Sequence, residues 1–95
     1  MDIEFDEAKR LLTLFQRGLD MKDVAQVFEG LHMTMEDRRK DYGEARYNTV
    51  GYLDGRMVMF AWTRRSARLR IISLRKANAR EQATYGPSLR SGHIW

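Results

Sequence analysis

The chain has 95 residues, 43% of them hydrophobic and 32% charged, with a net charge of +4 and a pI of about 9.8. That is one domain's worth of chain with room for one modest core, and the composition is globular rather than disordered. There is no cysteine, which excludes disulfides, thiolate chemistry and cysteine-ligated zinc.

Ile3 to Phe5 alternates apolar and acidic residues and predicts a short edge strand or an extended lead-in. Asp6 is an N-cap candidate, Ala8, Leu11, Leu12 and Phe15 follow at helical spacing, and Gly18 is the stop, so a first helix is predicted over 7–17. Its apolar stripe is expected to pack inward. The opposite stripe carries Lys9, Thr13 and Arg17, four residues apart, and so collects two cations on one polar face. Asp20 caps a second, short helix with Met21, Val24, Ala25 and Phe28 on one side and Gly30 at its end.

From His32 the period changes. Residues 32–37 alternate weakly, as an edge strand does, and 37–44 is a charged loop. A strand over 47–53 leads into Asp54-Gly55, a two-residue hairpin signal of type I′. The next strand, 57–63, is apolar on both faces and reads as central. A basic turn at 64–68 precedes a strand over 69–75. Strict alternation there puts Arg70, Ile72 and Leu74 on one face and Leu69, Ile71, Ser73 and Arg75 on the other. Arg70 and Arg75 are then separated unless a bulge intervenes. Asn78 and Glu81 have capping-box spacing and open a last helix, which Gly86-Pro87 stops. The order predicts an α+β domain over 1–86, two N-terminal helices packed on one face of a twisted antiparallel sheet with a C-terminal helix, and a tail without periodicity over 87–95.

The charge is unevenly placed. From Arg56 to Arg80 there are eight Lys or Arg and no Asp or Glu, a density that attracts phosphate-rich partners. Arginine forks match phosphate geometry, and two arginines in an otherwise apolar strand, Arg70 and Arg75, need partners. His32 and His93 are the only imidazoles, no His pair stands at helical spacing, and no Gly-rich phosphate loop is present, so neither a metal nor a cofactor is expected. Trp62 and Tyr85 read as packing residues, and Glu81 as a helix cap. No apolar run approaches the roughly 20 residues needed to span a bilayer. Acids at Asp2, Glu4 and Asp6 stand where a secretory signal carries bases, so no membrane contact and a cytoplasmic location are expected.

Several blocks resemble the BrnT toxins: Phe5-Asp6-Glu7-Ala8-Lys9, Val27-Phe28-Glu29, Gly43-Glu44-Ala45-Arg46-Tyr47, Val50-Gly51, Ala61-Trp62-Thr63 and, most specifically, Arg70 to Asn78 with Glu81 and Tyr85. The resemblance implies a RelE-like fold and an endoribonuclease that blocks translation. It also implies a cognate ribbon-helix-helix antitoxin, with which the toxin forms a hetero-oligomer that meets operator DNA only through the antitoxin. Metal-free RNA cleavage needs a base for the 2′-hydroxyl, cations for the phosphorane and a proton for the leaving 5′-oxygen. The residues expected to supply these are Lys9, Arg17, Glu44, Arg46, Arg70 and Arg75, with Arg64, Arg65, Arg68 and Lys76 on the RNA. The chain departs from the family pattern with Thr13 for Asn and Gln16-Arg17-Gly18 for Lys-His-Gly. Arg17 keeps a charge but cannot exchange a proton near neutral pH. The alternative reading is therefore a weakened toxin homologue that acts only as an antitoxin-binding partner and co-repressor.

Overall fold

The computed structural model describes residues 2–91; the last part of the expected tail, 92–95, with His93, lies outside the described residues. The elements run β1 (Ile3–Glu4), α1 (Glu7–Arg17), a 3-10 turn (Met21–Asp23), α2 (Val24–Glu29), β2 (His32–Asp37), β3 (Arg46–Leu53), β4 (Arg56–Arg65), β5 (Arg68–Lys76) and α3 (Ala79–Ser91). The five strands form one sheet in the order β1-β5-β4-β3-β2. β2 to β5 are an antiparallel meander, as expected. β1 pairs with β5 in parallel, Ile3 beside Leu69 and Glu4 beside Arg70, so the sheet is mixed rather than purely antiparallel.

The two hairpin turns explain the meander. Asp54 and Gly55 both have positive φ, 51° and 77°, which is the twist-matched geometry that joins β3 to β4. Ser66 and Ala67 alone join β4 to β5, so Arg64, Arg65 and Arg68 stand on strands and not in a turn.

The sheet has two differently covered faces. Val58, Phe60 and Trp62 of β4 pack with Leu69, Ile71, Leu74 and Leu53 beneath Leu19, Met21, Val24 and Val27. Fully burying side chains such as Met21, Val24 and Val27 contributes about 1.5–3 kcal/mol each. Gly51 lets α2 come this close: a Cβ there would lie 2.6 Å from Val27 Cγ1 and 3.2 Å from the Leu31 carbonyl. Trp62 donates its indole N–H to Thr49 Oγ1 (2.8 Å), which also bonds Thr34 Oγ1 (2.8 Å), so the polar atoms inside this core are paired.

The other face holds Val50, Met57, Met59 and Ala77, flanked by Met33 and Met35 and covered by Leu89 and Tyr85 of α3. The helices therefore do not share one face; α2 and α3 lie on opposite sides. Nor does Gly86-Pro87 stop α3, which continues to Ser91 with Pro87 inside it. Proline in a helix interior costs about 3 kcal/mol. Leu89, fully buried two residues on, offsets that cost through its packing on Met57 and Ala77.

α1 has the predicted limits and caps. Asp6 Oδ1 accepts from the Lys9 backbone N–H (3.1 Å), and Gly18, at φ 69°, donates to the Leu14 carbonyl. Its orientation is the reverse of the expected one. β1 pairs only with the start of β5, and beyond it the outer edge of β5 presents unpaired carbonyls. Lys9 Nζ donates to the Ile72 carbonyl (3.4 Å) and Arg17 Nη1 to the Leu74 carbonyl (2.7 Å), with Thr13 buried between them. The polar stripe faces the sheet because an open strand edge needs donors more than it needs methyl groups. Leu11, Leu12 and Phe15 point outward, 52%, 54% and 89% exposed.

Candidate functional site

β4 and β5 meet through a β-bulge. Ser73 lies opposite Ala61, but Ile71 lies opposite Trp62, so Ile72 is an extra residue in β5. Thr63, Ala61 and Met59 alternate along β4 and share one face; their partners Arg70, Ser73 and Arg75 must share it too. The bulge thus keeps Leu69, Ile71 and Leu74 in the α2-side core and brings Arg70 and Arg75 onto the same face. On β3, Arg46 and Asn48 pair with Thr63 and Ala61 and join that face.

α3 covers only the end of this face near Met57 and Val50. At the uncovered end, Lys9, Glu44, Arg46, Arg65 and Arg70 converge with Asp6, Ile71 and Ile72 around a cleft of about 220 Å³. The four cations come from four elements, α1, the start of β3 and the hairpin ends of β4 and β5, and Glu44 from the loop before β3. Glu44 lies between two arginines, 3.4 Å from Arg46 and 3.8 Å from Arg65. Glu4 does the same for Arg70 (3.2 Å) and Arg68 (3.6 Å). Each carboxylate faces two cations, and the longer pairs are partly exposed and weak, so positive charge remains in excess and an entering phosphate can replace a carboxylate. Lys9 has a backbone carbonyl and no carboxylate as partner among the described residues. Arg46 also stacks over the Tyr42 ring at 4.1 Å, which fixes its plane.

A second hollow of about 460 Å³ lies on the same face, between Asn48, Ala61, Ser73, Arg75, Tyr85 and the start of the β2–β3 loop. Arg75 is already engaged there. It donates to both carboxylate oxygens of Glu81 (2.7 and 2.8 Å), while Glu81 Oε1 caps the Asn78 N–H (2.9 Å) and Asn78 Oδ1 accepts from the Glu81 N–H (2.8 Å). The Arg75 guanidinium holds the Glu81 carboxyl down at about 2. The loop is tied in the same manner: Asp37 takes both forks of Arg39 and the Tyr42 hydroxyl, which hold its carboxyl far below the usual range.

Five of the ten residues singled out in the sequence therefore line one cleft: Lys9, Glu44, Arg46, Arg65 and Arg70. Arg68 reaches its rim through Glu4. Arg17 stands outside, on the Leu74 carbonyl, and Arg75 in the neighbouring hollow. Arg64 alternates with Arg65 onto the other side of β4, and Lys76 lies at the far end of β5 beside Arg56 and Arg90. His32 sits opposite Gly51, at the other end of β3 from Arg46, with Nδ1 on the Gly30 carbonyl (2.8 Å). Glu4 was not singled out. It meets Arg70 across 66 positions of chain, a pairing with no local signal. No group of three or more metal-ligating side chains occurs among the described residues.

The family model for the ribonuclease toxin BrnT, of type II toxin-antitoxin systems, matches residues 5–81. The chain belongs to the BrnT family. The chain matches no curated protein. The span that matches BrnT holds every residue lining the cleft and ends at Glu81, so Leu89 and the second half of α3 lie beyond it. Membership makes the chain a ribonuclease toxin of a type II system, with an antitoxin as partner. No helix among the described residues is long and apolar enough to cross a membrane.

Proposed function

We propose that this BrnT protein is a metal-independent endoribonuclease with a RelE-like active face, that it arrests translation by cutting RNA in the cleft between Lys9, Glu44, Arg46, Arg65 and Arg70, and that a ribbon-helix-helix antitoxin neutralises it. The observation that carries the reading is the convergence in one cleft of four cations from four elements, with the carboxylates of Glu44 and of the α1 cap Asp6. Glu44 accepts the proton of the ribose 2′-hydroxyl as that oxygen attacks the adjacent phosphorus. Arg46, Arg65 and Arg70 oppose the charge on the phosphorane. The bond to the 5′-oxygen breaks, and Lys9 supplies that oxygen's proton, leaving a 2′,3′-cyclic phosphate and a 5′-hydroxyl. Ser73, Asn48 and Tyr85 line the path along which flanking nucleotides lie.

Arg17 bears on the alternative, a weakened toxin that only binds its antitoxin. It serves the β5 edge and does not line the cleft, so its replacement of histidine removes no group from the cation cluster. This favours an active enzyme. Inducing the chain without its antitoxin should arrest growth, and Glu44→Gln should relieve the arrest while the protein still accumulates. Arrest undiminished by Glu44→Gln would remove the carboxylate from this mechanism.

A further inference from the structure

The outward face of α1 is an anomaly that RNA cleavage does not use. Lys9, Thr13 and Arg17 reach the β5 edge, Leu11 and Phe15 face solvent half a turn round the helix, and Leu12 and Leu14, 54% and 39% exposed, lie between the two stripes. Aromatic side chains alone cover about 150–250 Å², so the four together expose roughly 400 Å² of apolar surface. That matches the largest patches found on monomers, about 300–600 Å² and often functional, and half of one side of a standard interface of about 800 Å² per partner. We infer that this face is the docking site of the antitoxin, which lays an amphipathic, acidic segment along α1; the inference rests on the reading of the chain as a toxin held by a partner.

Charge selects this occupant over a second copy of the chain. Lys9 and Arg17 flank the patch and, among the described residues, have only backbone carbonyls as partners. The one carboxylate on α1, Glu7, is taken by Arg10 (2.7 Å). Two copies packed through this face would bring four such cations together in a protein of net charge +4. A segment with its own carboxylates beside its apolar anchors meets both the patch and the cations. Position supplies the consequence. Leu12 and Lys9 are neighbours at i and i+3, and Lys9 lines the cleft, so a segment seated on Leu12 and Phe15 stands at the cleft rim.

The test measures binding of the protein encoded by the adjacent reading frame to the parent and to a Leu12→Gln, Phe15→Gln double variant, with RNA cleavage by each free protein measured alongside. Both positions are exposed and tolerate glutamine in a helix, so the variant should cut RNA within about twofold of the parent. Its affinity for the partner should fall at least about 100-fold, because buried aromatic anchors dominate such interfaces. The parent complex should weaken as salt rises from 50 to 300 mM. A variant that binds as the parent does overturns the docking site and leaves the ribonuclease reading standing. A complex indifferent to salt overturns the acidic segment. A parent that dimerises alone, and a variant that does not, gives the face to a second copy. A parent that binds no neighbouring product overturns both the docking site and control by that partner, whatever its RNA cleavage.

Discussion

Glu81 closes two structures at once: the forked pair with Arg75 on β5 and the reciprocal cap with Asn78 at the start of α3. Its carboxyl is held at about 2, below its ordinary value of 4.5. The sign follows from the direction. A carboxyl lowered in the folded state contributes its full stabilisation above its ordinary range and loses it as pH falls from about 4.5 towards 2. Glu81→Gln should therefore cost about 1–2 kcal/mol at pH 7 and less at pH 3, read as urea midpoints at the two pH values. Asp37, Glu7 and Asp20 are lowered too, so the acid limb should shrink in the variant without vanishing. At Gly51 a methyl group meets Val27, His32 and a backbone carbonyl, and Gly51→Ala should destabilise by about 1–3 kcal/mol in the same measurement. Arg17→His shortens the reach to the Leu74 carbonyl. It should lower stability by about 1 kcal/mol and leave RNA cleavage where it was. A gain in cleavage would place that position in the chemistry after all.

Among the elements, whatever is decided locally was legible. The limits of α1, its Asp6 and Gly18 caps, the Asp54-Gly55 turn and the Asn78–Glu81 box are set by residues within four positions of one another. The orientation of α1 was not, because it answers the open edge of β5, more than fifty positions away. A hydrophobic stripe says which face of a helix prefers burial; it does not say what the neighbouring backbone demands. The bulge at Ile72 escaped strict alternation for a similar reason: the extra residue is recognised only once Ile71 and Ser73 find their partners on β4. At α3 the local stop signal of Gly86-Pro87 is overridden, the cost of Pro87 being offset by the burial of Leu89. Pro87→Ala should therefore restore a hydrogen bond to the Ala83 carbonyl and raise stability by about 1–3 kcal/mol. Thermal unfolding checks it, and an unchanged or lower midpoint would mean that Pro87 itself helps to seat Leu89.

At the scale of the whole molecule, the basic stretch from Arg56 to Arg80 is not one patch. The pleat sends Arg64 and Arg65 to opposite sides, Lys76 stands at the far end, and Arg75 is committed to Glu81. The cleft instead recruits Lys9 from α1 and Arg46 from β3. Of the eight cations in that stretch, only Arg65 and Arg70 line the cleft. If phosphates occupy this cleft, RNA affinity should fall with salt at a slope of about −0.7 per contact in a log–log plot, and Arg46→Ala should reduce that slope by about one such step. The most direct test of the account is cleavage of RNA by the antitoxin-free protein in EDTA, comparing the parent with an Arg46→Ala, Arg70→Ala double variant and with Arg64→Ala, whose side chain lies on the other side of the sheet. The account predicts cleavage by the parent without added metal, a loss of at least about 100-fold in the double variant, and Arg64→Ala within about twofold of the parent. Cleavage that vanishes in EDTA, or that survives the double substitution undiminished, would contradict it.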